Sequence, residues 1–293
     1  MEDNFESLVD AFLDFMRNNK SSSENTITNY AVDLAQYADY MENQGLSPTQ
    51  ATAKTIRAYL RSLSGYGYAN TSISRKLSAI KTFELYLLGS RVISSDPAAS
   101  VRSPRTPERL PRAVSSEAME RLIEEAWKIK PQLRSGTILE ILYGCGVRVA
   151  ELVSLRWQDA DLEERWLKVR GKGDKERLVP FGRAAKEALL KWREVCPPDA
   201  EYIFQSGKKP LTVRTVHRLV VKAAQNAGLE NVTPHSVRHS FATHMLEGGA
   251  SLNVLQELLG HESLLTTQRY LKITPSHLRE SYLAAHPRSG EET

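Results

Sequence analysis

The residues with the strongest chemical character lie between positions 233 and 270. His235 and Arg238 are three residues apart in the segment TPHSVRHSFATH, and Tyr270 follows downstream. Residues three apart on a helix project from one face. An imidazole beside a guanidinium binds a phosphate group well, because both donate hydrogen bonds to its oxygens. With a tyrosine nearby in the chain, this pair indicates covalent chemistry on a phosphodiester.

The histidines of this segment also allow an interpretation as a metal site. His235 and His239 are four residues apart, which is the spacing of two zinc ligands on one helix. The zinc-protease pattern needs a glutamate directly after the first histidine, but this chain has Ser236 there, and Arg238 would repel a dication. We therefore expect no metal or other cofactor, and we expect His239 and His244 to be structural residues of a helical core.

The other polar residues have ordinary interpretations when each is taken alone. Arg148 and Glu151 are three residues apart after a glycine-rich break, which fits a surface ion pair of small energetic value. Lys172 lies between two glycines and fits an exposed turn lysine, although a mobile ammonium there could also protonate a leaving oxygen. His261 begins a predicted turn, and Tyr270 is one of 11 tyrosines, so packing is its ordinary interpretation. Only their joint occurrence favours one shared site.

The elements that must position these residues are predicted to be mainly helical. Residues 1–95 show helical spacing of apolar residues over about four helices, and the last of these has a basic face that carries Arg75, Lys76 and Lys81. Residues 96–111 contain four prolines, which forbid a continuous helix. This stretch fits a solvated linker, but its arginines, among them Arg105 and Arg109, are better explained if it lies against a polyanion.

Residues 112–293 are predicted to form a second, α-rich domain with one small antiparallel β element. The period of the apolar pattern changes to two in residues 166–172, and a return strand follows, so Lys172 is placed at the tip of a β-hairpin. A helix is predicted at 264–271, and it would carry Tyr270. A last helix is predicted at about 276–285.

Composition gives weaker indications of function. The net charge of +4 and the isoelectric point near 8.9 are compatible with nucleic-acid binding but not diagnostic of it. The two cysteines are far apart and form no CxxC pair, which fits a reducing compartment. No long apolar run or signal-peptide pattern is present, so we expect a cytoplasmic protein without a membrane span.

Taken in order, these residues resemble the motifs of the tyrosine site-specific recombinase (lambda-integrase) family. The matching segments are, in chain order, 146–152 (GVRVAEL), 171–177 (GKGDKER), 234–244 (PHSVRHSFATH), 258–261 (LLGH) and 266–270 (TTQRY). Their wording and the chain length are most similar to the Xer branch, whose members resolve chromosome dimers. The resemblance covers nearly the whole chain, and it implies a SAM-like, four-helix, core-binding domain at the N-terminus.

The resemblance also assigns a role to each candidate residue. Tyr270 would attack the scissile phosphate and form a 3′-phosphotyrosyl link, with His235 as general base and Lys172 as the acid that protonates the leaving 5′ oxygen. Arg148 and Arg238 would clamp the phosphate oxygens. His261 would donate a further hydrogen bond to the phosphate, and the carboxylate of Glu151 would orient the site.

The implied partner is double-stranded DNA, held between the two domains. Candidate DNA contacts are Arg75, Lys76, Lys81, Arg105 and Arg109. The resemblance further implies a tetramer on DNA, formed either by this chain alone or together with a paralogous recombinase. In that tetramer the last helix would dock on a neighbouring protomer. A septal DNA translocase would control the reaction. Three alternatives stay open: an integrase of a mobile element with the same chemistry, a non-catalytic DNA-binding protein and a metal-dependent hydrolase.

Overall fold

The structure is a computed structural model that describes residues 4–19, 24–104, 113–171, 175–260 and 273–290. Over these ranges it is mainly helical with two small antiparallel sheets, which confirms the predicted fold class. The helix predicted at 264–271 lies outside the described residues. The chain divides into two compact units, residues 1–109 (the first unit) and 110–293 (the second unit). Over the described ranges, no helix is both long enough and apolar enough to cross a membrane.

The described part of the first unit consists of helices packed around one apolar core. The helices are α1 (Phe5–Asn18), α2 (Glu24–Asn43), α3 (Ala53–Gly65) and α4 (Asn70–Gly89). Thr52 caps α3 by accepting a hydrogen bond from the backbone N–H of Thr55 at 3.2 Å, so the helix begins at Ala53. Ala98 and Val101 are also buried in this core, so part of the stretch predicted as a linker belongs to the first unit.

A buried carboxylate in the first unit changes the set of candidate DNA contacts. Asp33 on α2 is fully buried, and its carboxylate accepts hydrogen bonds from Arg75 and, at 2.8 Å, from the ammonium of Lys76. Only 5% of the Lys76 side chain is exposed. A phosphate contact would break this buried ion pair, which is costly. The structure therefore removes Lys76 from the candidates, whereas Arg75 and the half-buried Lys81 remain accessible.

A second buried carboxylate predicts a pH dependence of the first unit. Glu84 on α4 is 1% exposed, and burial, reinforced by the charge of Asp96, raises its pKa from 4.5 to about 8. At a pH between these two pKa values, Glu84 is protonated in the folded state and ionised in the unfolded chain. The free energy of unfolding should therefore fall as pH rises from 4.5 to about 8, by at most about 1.4 kcal/mol per pH unit.

Glu84→Gln should remove this slope, because glutamine stays neutral at every pH in the range. Hydrogen exchange of peptides from α4 measures the stability of the first unit. The fluorescence of the four tryptophans, all of which lie in the second unit, serves as an internal control. A slope that persists in the glutamine variant would show that another group binds the proton.

The described part of the second unit combines helices with short strands. The helices are α5 (Ser116–Lys128), α6 (Gln132–Cys145), α7 (Val149–Ser154), α8 (Arg183–Val195), α9 (Val213–Asn226), α10 (Pro234–Glu247), α11 (Leu252–Leu259) and α12 (Pro275–Ala285). The strands are β1 (Ala160–Asp161), β2 (Trp166–Arg170), β3 (Glu176–Pro180), β4 (Gln205–Ser206) and β5 (Lys209–Pro210).

Helix α6 is the centre of the second unit, and the predicted hairpin packs against α7, α11 and α12. The segment of α6 from Ser135 to Cys145 is buried on all sides, and α5, α8 and α10 pack against it. Strands β2 and β3 pair antiparallel, with Val169 opposite Arg177 and Arg170 opposite Glu176. This pairing confirms the hairpin and brings Arg177 to the middle of the second unit.

The last described helix, α12, packs on its own unit. Tyr282 is fully buried; its hydroxyl donates to the carbonyl oxygen of Gly144 at 2.8 Å and accepts from the N–H of Gly182 at 3.1 Å. Beyond the helix, Arg288 pairs with the carboxylate of Glu140 at 2.5 Å. In this chain the apolar face of the helix thus completes the core of its own unit, and docking on a neighbouring protomer in an assembly on DNA stays a prediction.

Candidate active site

A left-handed turn at the end of α6 places Arg148. Gly146 has φ +58°, and a Cβ at this position would lie 2.2 Å from the ring of Phe241, so the turn requires glycine. The chain then enters α7 with Arg148 in extended conformation at the position before the first helical residue. The Arg148 side chain is 45% exposed, so its guanidinium is accessible to a ligand.

Glu151 holds Arg148 in this position through two contacts. Its carboxylate accepts a hydrogen bond from the backbone N–H of Arg148 at 2.7 Å and another from the Arg148 guanidinium at 2.9 Å. The Glu151 side chain is only 4% exposed. The predicted ion pair is therefore present, but one partner is buried, so it is more than a weak surface interaction.

Arg177 is the second partner of Glu151. Its two terminal nitrogens donate to the two carboxylate oxygens at 2.9 and 2.8 Å, and its Nε donates to the carbonyl oxygen of Leu258 at 2.8 Å. Burial alone would raise the pKa of Glu151, but the hydrogen bonds from Arg177 and from the backbone of Arg148 outweigh it and lower the pKa. The carboxylate is therefore ionised at neutral pH.

Arg238 completes the cluster from helix α10. Its terminal nitrogens donate to the carbonyl oxygens of Gly146 at 2.6 Å and Leu259 at 2.8 Å, and one of them lies 3.7 Å from the carboxylate of Glu151. Burial and the neighbouring charge of Arg148 lower the pKa of Arg238 to about 10, so the guanidinium stays protonated at neutral pH. The two carbonyls fix the guanidinium, and among the described residues they are its only hydrogen-bond acceptors, so its other N–H groups can serve a ligand.

The histidines of α10 occupy two different environments. His235 is exposed in the first turn, three residues before Arg238. His244 is buried, and its Nδ1 lies 2.7 Å from the hydroxyl of Tyr143, which confirms the structural role predicted for it. Within the described ranges, no group of three histidine, cysteine or acidic side chains is arranged to hold a metal ion.

The other predicted site residues lie outside the described residues. They are Lys172, His261, Tyr270, Arg105 and Arg109. The structure does, however, describe the two glycines from which the segments 172–174 and 261–272 begin. A Cβ on Gly171 would lie 3.8 Å from Glu151, and a Cβ on Gly260 would lie 3.2 Å from the side chain of Arg177. Both segments therefore begin at the arginine cluster.

Sequence reasoning missed two features of the second unit. One is the contact of Arg177 with Glu151, which joins residues 26 positions apart. The other is a basic stripe on α9, formed by Arg214, Arg218 and Lys222, which are exposed and spaced one turn apart. Among the described residues none of the three has an ion-pair partner. Their spacing of four residues was the signal that could have identified the stripe from sequence.

Comparisons with known proteins cover nearly the whole chain. A profile of the phage integrase family matches residues 112–277, and a profile of the phage integrase N-terminal SAM-like domain matches residues 9–89. The chain is 38% identical to tyrosine recombinase XerC of Oceanobacillus iheyensis, over 97% of each protein. It is 34% identical to tyrosine recombinase XerD of the same organism, over 97% of this chain and 99% of the relative.

Solved structures show the same fold. A lambda integrase dimer bound to a COC′ core site matches with a TM-score of 0.71 and 22% identity, over 92% of this chain and 99% of that one. A lambda integrase tetramer bound to a Holliday junction matches with a TM-score of 0.70 and 22% identity, over 92% of this chain and 80% of that one.

Proposed function

Because the chain belongs to the tyrosine recombinase (phage integrase) family, which cleaves and rejoins DNA through a phosphotyrosyl intermediate, we propose that Tyr270 is its nucleophile and that the cluster around Glu151 binds the scissile phosphate. The biological substrate that we propose is a dif-like chromosomal site, at which the enzyme resolves chromosome dimers.

One observation carries the assignment of the phosphate site. Three guanidinium groups, those of Arg148, Arg177 and Arg238, surround a single carboxylate, so the cluster keeps an excess of positive charge. Charge on the non-bridging phosphate oxygens grows in the transition state, and fixed donors aimed at that charge lower the barrier. Arg148 is exposed and Arg238 is fixed by two carbonyls, so these two residues form the clamp.

In the proposed reaction each remaining residue moves one proton or donates one hydrogen bond. The hydroxyl of Tyr270, whose ordinary pKa is about 10, gives its proton to His235 as its oxygen bonds to phosphorus. The bond from phosphorus to the 5′ oxygen breaks, and Lys172 protonates this leaving oxygen. His261 donates a hydrogen bond to the phosphate. Because the phosphotyrosyl ester conserves the energy of the broken bond, a 5′ hydroxyl reverses the step and rejoins DNA without ATP.

We assign DNA binding to surface cations of both units. In the second unit the basic stripe of α9 offers three exposed cations at helical spacing, which suits contact with successive phosphates. In the first unit Arg75 and Lys81 are the accessible candidates. Arg105 and Arg109, at the end of the first unit in sequence, complete the proposed set.

The finer biological proposal is supported by the relatives. Proteins called XerC and XerD are both more than 30% identical to this chain over nearly its full length, so the chain fits a recombinase that acts alone or with a paralogue. The tetramer on a Holliday junction among the structures of similar fold supports a tetrameric complex on DNA. Control by a septal DNA translocase belongs to the same proposal.

Covalent capture of genomic DNA tests this function. The purified chain is incubated with fragmented DNA from the organism that encodes it, the mixture is denatured, and the DNA that remains attached to protein is sequenced. We expect the fragments to converge on one chromosomal site. Two copies of that site on a plasmid should then recombine when the protein is added.

The other outcomes point to different functions. Fragments that converge on the ends of a mobile element would support the integrase alternative. DNA that binds but never becomes attached would contradict the proposed chemistry and support a non-catalytic DNA-binding protein. Attachment that chelators abolish would point to a metal-dependent enzyme.

A further inference from the structure

One buried guanidinium touches three chain segments that lead to proposed catalytic residues. Arg177 donates to Glu151 beside Arg148 and to the carbonyl of Leu258 in the last turn of α11, and its guanidinium lies near Gly171, which follows β2. We propose that Arg177 is a positioning residue for DNA cleavage: it holds Glu151 against Arg148 and fixes the backbone near Gly171 and Gly260, the residues that precede Lys172 and His261 in the chain. This inference rests on the proposed function.

The contact with Glu151 transmits the effect of Arg177 to the phosphate clamp. Two parallel hydrogen bonds at 2.9 and 2.8 Å fix the plane of the carboxylate. The same two oxygens accept from the backbone and the guanidinium of Arg148. Without Arg177 the carboxylate would keep only its two contacts with Arg148, and the orientation of Arg148 would be less strictly fixed.

The other two contacts concern segments that carry proposed catalytic residues. The Nε of Arg177 donates to the carbonyl of Leu258 at 2.8 Å, and Gly260 packs so closely on the Arg177 side chain that an added Cβ would lie only 3.2 Å away. A Cβ on Gly171 would lie 3.8 Å from the same guanidinium. His261 follows Gly260 directly, and Lys172 follows Gly171 directly.

Arg177 acts through other residues and does not contact the substrate. Its side chain is 9% exposed, as is that of Arg238, but all three nitrogens of Arg177 already donate to Glu151 or Leu258. Arg148, in contrast, is 45% exposed. The buried fork of Arg177 therefore orients the groups that bind phosphate.

The test measures single-turnover cleavage by the full chain at saturating DNA. The substrate is a nicked duplex that carries the site obtained by covalent capture, and the rate of adduct formation is followed as a function of pH. For Arg177→Gln we expect the rate to fall about 100-fold, because a misplaced clamp loses the geometry of attack. We also expect a new loss of rate toward acid pH, because buried Glu151 without Arg177 protonates more readily.

Three further variants separate positioning from a general structural effect. In a Glu151→Gln background, Arg177→Gln should lower the cleavage rate by a much smaller factor than in the wild type, because the two residues act as one unit. Arg177→Lys keeps the charge but loses the fork, so it should cleave about tenfold more slowly than the wild type and without the new acid dependence. Arg170→Gln removes an exposed guanidinium from the same hairpin, and its rate should stay within about twofold of the wild type.

Each outcome decides the proposal. A wild-type cleavage rate in Arg177→Gln would overturn it. So would a double variant whose loss of rate equals the product of the losses in Arg177→Gln and Glu151→Gln. If the glutamine variant does not fold, as judged by circular dichroism, a folded Arg177→Lys that cleaves like the wild type would overturn it instead. A wild-type chain that forms no adduct would contradict the proposed function itself, which separates the two failures.

Discussion

Tyr270→Phe is expected to abolish covalent attachment of DNA while leaving site binding intact. Phenylalanine keeps the ring but has no hydroxyl oxygen to bond to phosphorus, so the adduct should fall below detection. The phosphate clamp of Arg148 and Arg238 is unchanged in this variant, so the affinity for DNA should match that of the wild type. Denaturing electrophoresis of the nicked-duplex reaction measures the adduct, and a gel-shift titration measures binding.

Tyr202→Phe is the matched control for this variant. Tyr202 lies in the same unit with its ring against the guanidinium of Arg156, remote in sequence from every motif of the family. It should form adduct at the wild-type rate. Adduct formation by Tyr270→Phe would show that another residue is the nucleophile.

Arg238→Gln is expected to have the second largest effect. The substitution removes a donor aimed at the charge that develops on the phosphate, and loss of one such donor typically costs about 100- to 1,000-fold in rate. It also leaves the carbonyls of Gly146 and Leu259 without their partner. Single-turnover cleavage at saturating DNA measures the loss.

Arg238→Lys should not restore cleavage. A single ammonium has no planar fork, so it does not hold two carbonyls and a phosphate oxygen at the same time. Arg193→Gln removes an exposed guanidinium from α8, where it packs on the ring of Trp157, and should cleave normally. If Arg238→Lys cleaved as fast as the wild type, the positive charge of Arg238 would be sufficient and its planar fork would not be required.

The parts of the site that sequence predicted are those fixed by local spacing. Arg148 and Glu151 are three residues apart, and their ion pair follows from one helical turn. The glycine-rich break before Arg148 and the β2–β3 hairpin are likewise determined by nearby residues. The family resemblance then supplied roles that no single residue could establish.

The parts that sequence missed depend on partners far apart in the chain. Lys76 looked like one of several surface cations on α4, but Asp33, 43 positions earlier, takes its ammonium into the core. Arg177 looked like one cation in a basic strand until the register of β3 brought it to Glu151. Helix α12 shows apolar spacing that is compatible with packing on its own chain or on another, and only the structure shows Tyr282 inserted between Gly144 and Gly182.

The proposed cleavage of DNA through Tyr270 at the arginine cluster can be tested on the covalent adduct itself. The wild-type protein is trapped on the nicked duplex, the adduct is digested with a protease, and the linked residue is identified by mass spectrometry. We expect one peptide, in which the 3′ phosphate of the DNA is esterified to Tyr270. Attachment at any other residue, or no attachment at all, would contradict the proposal.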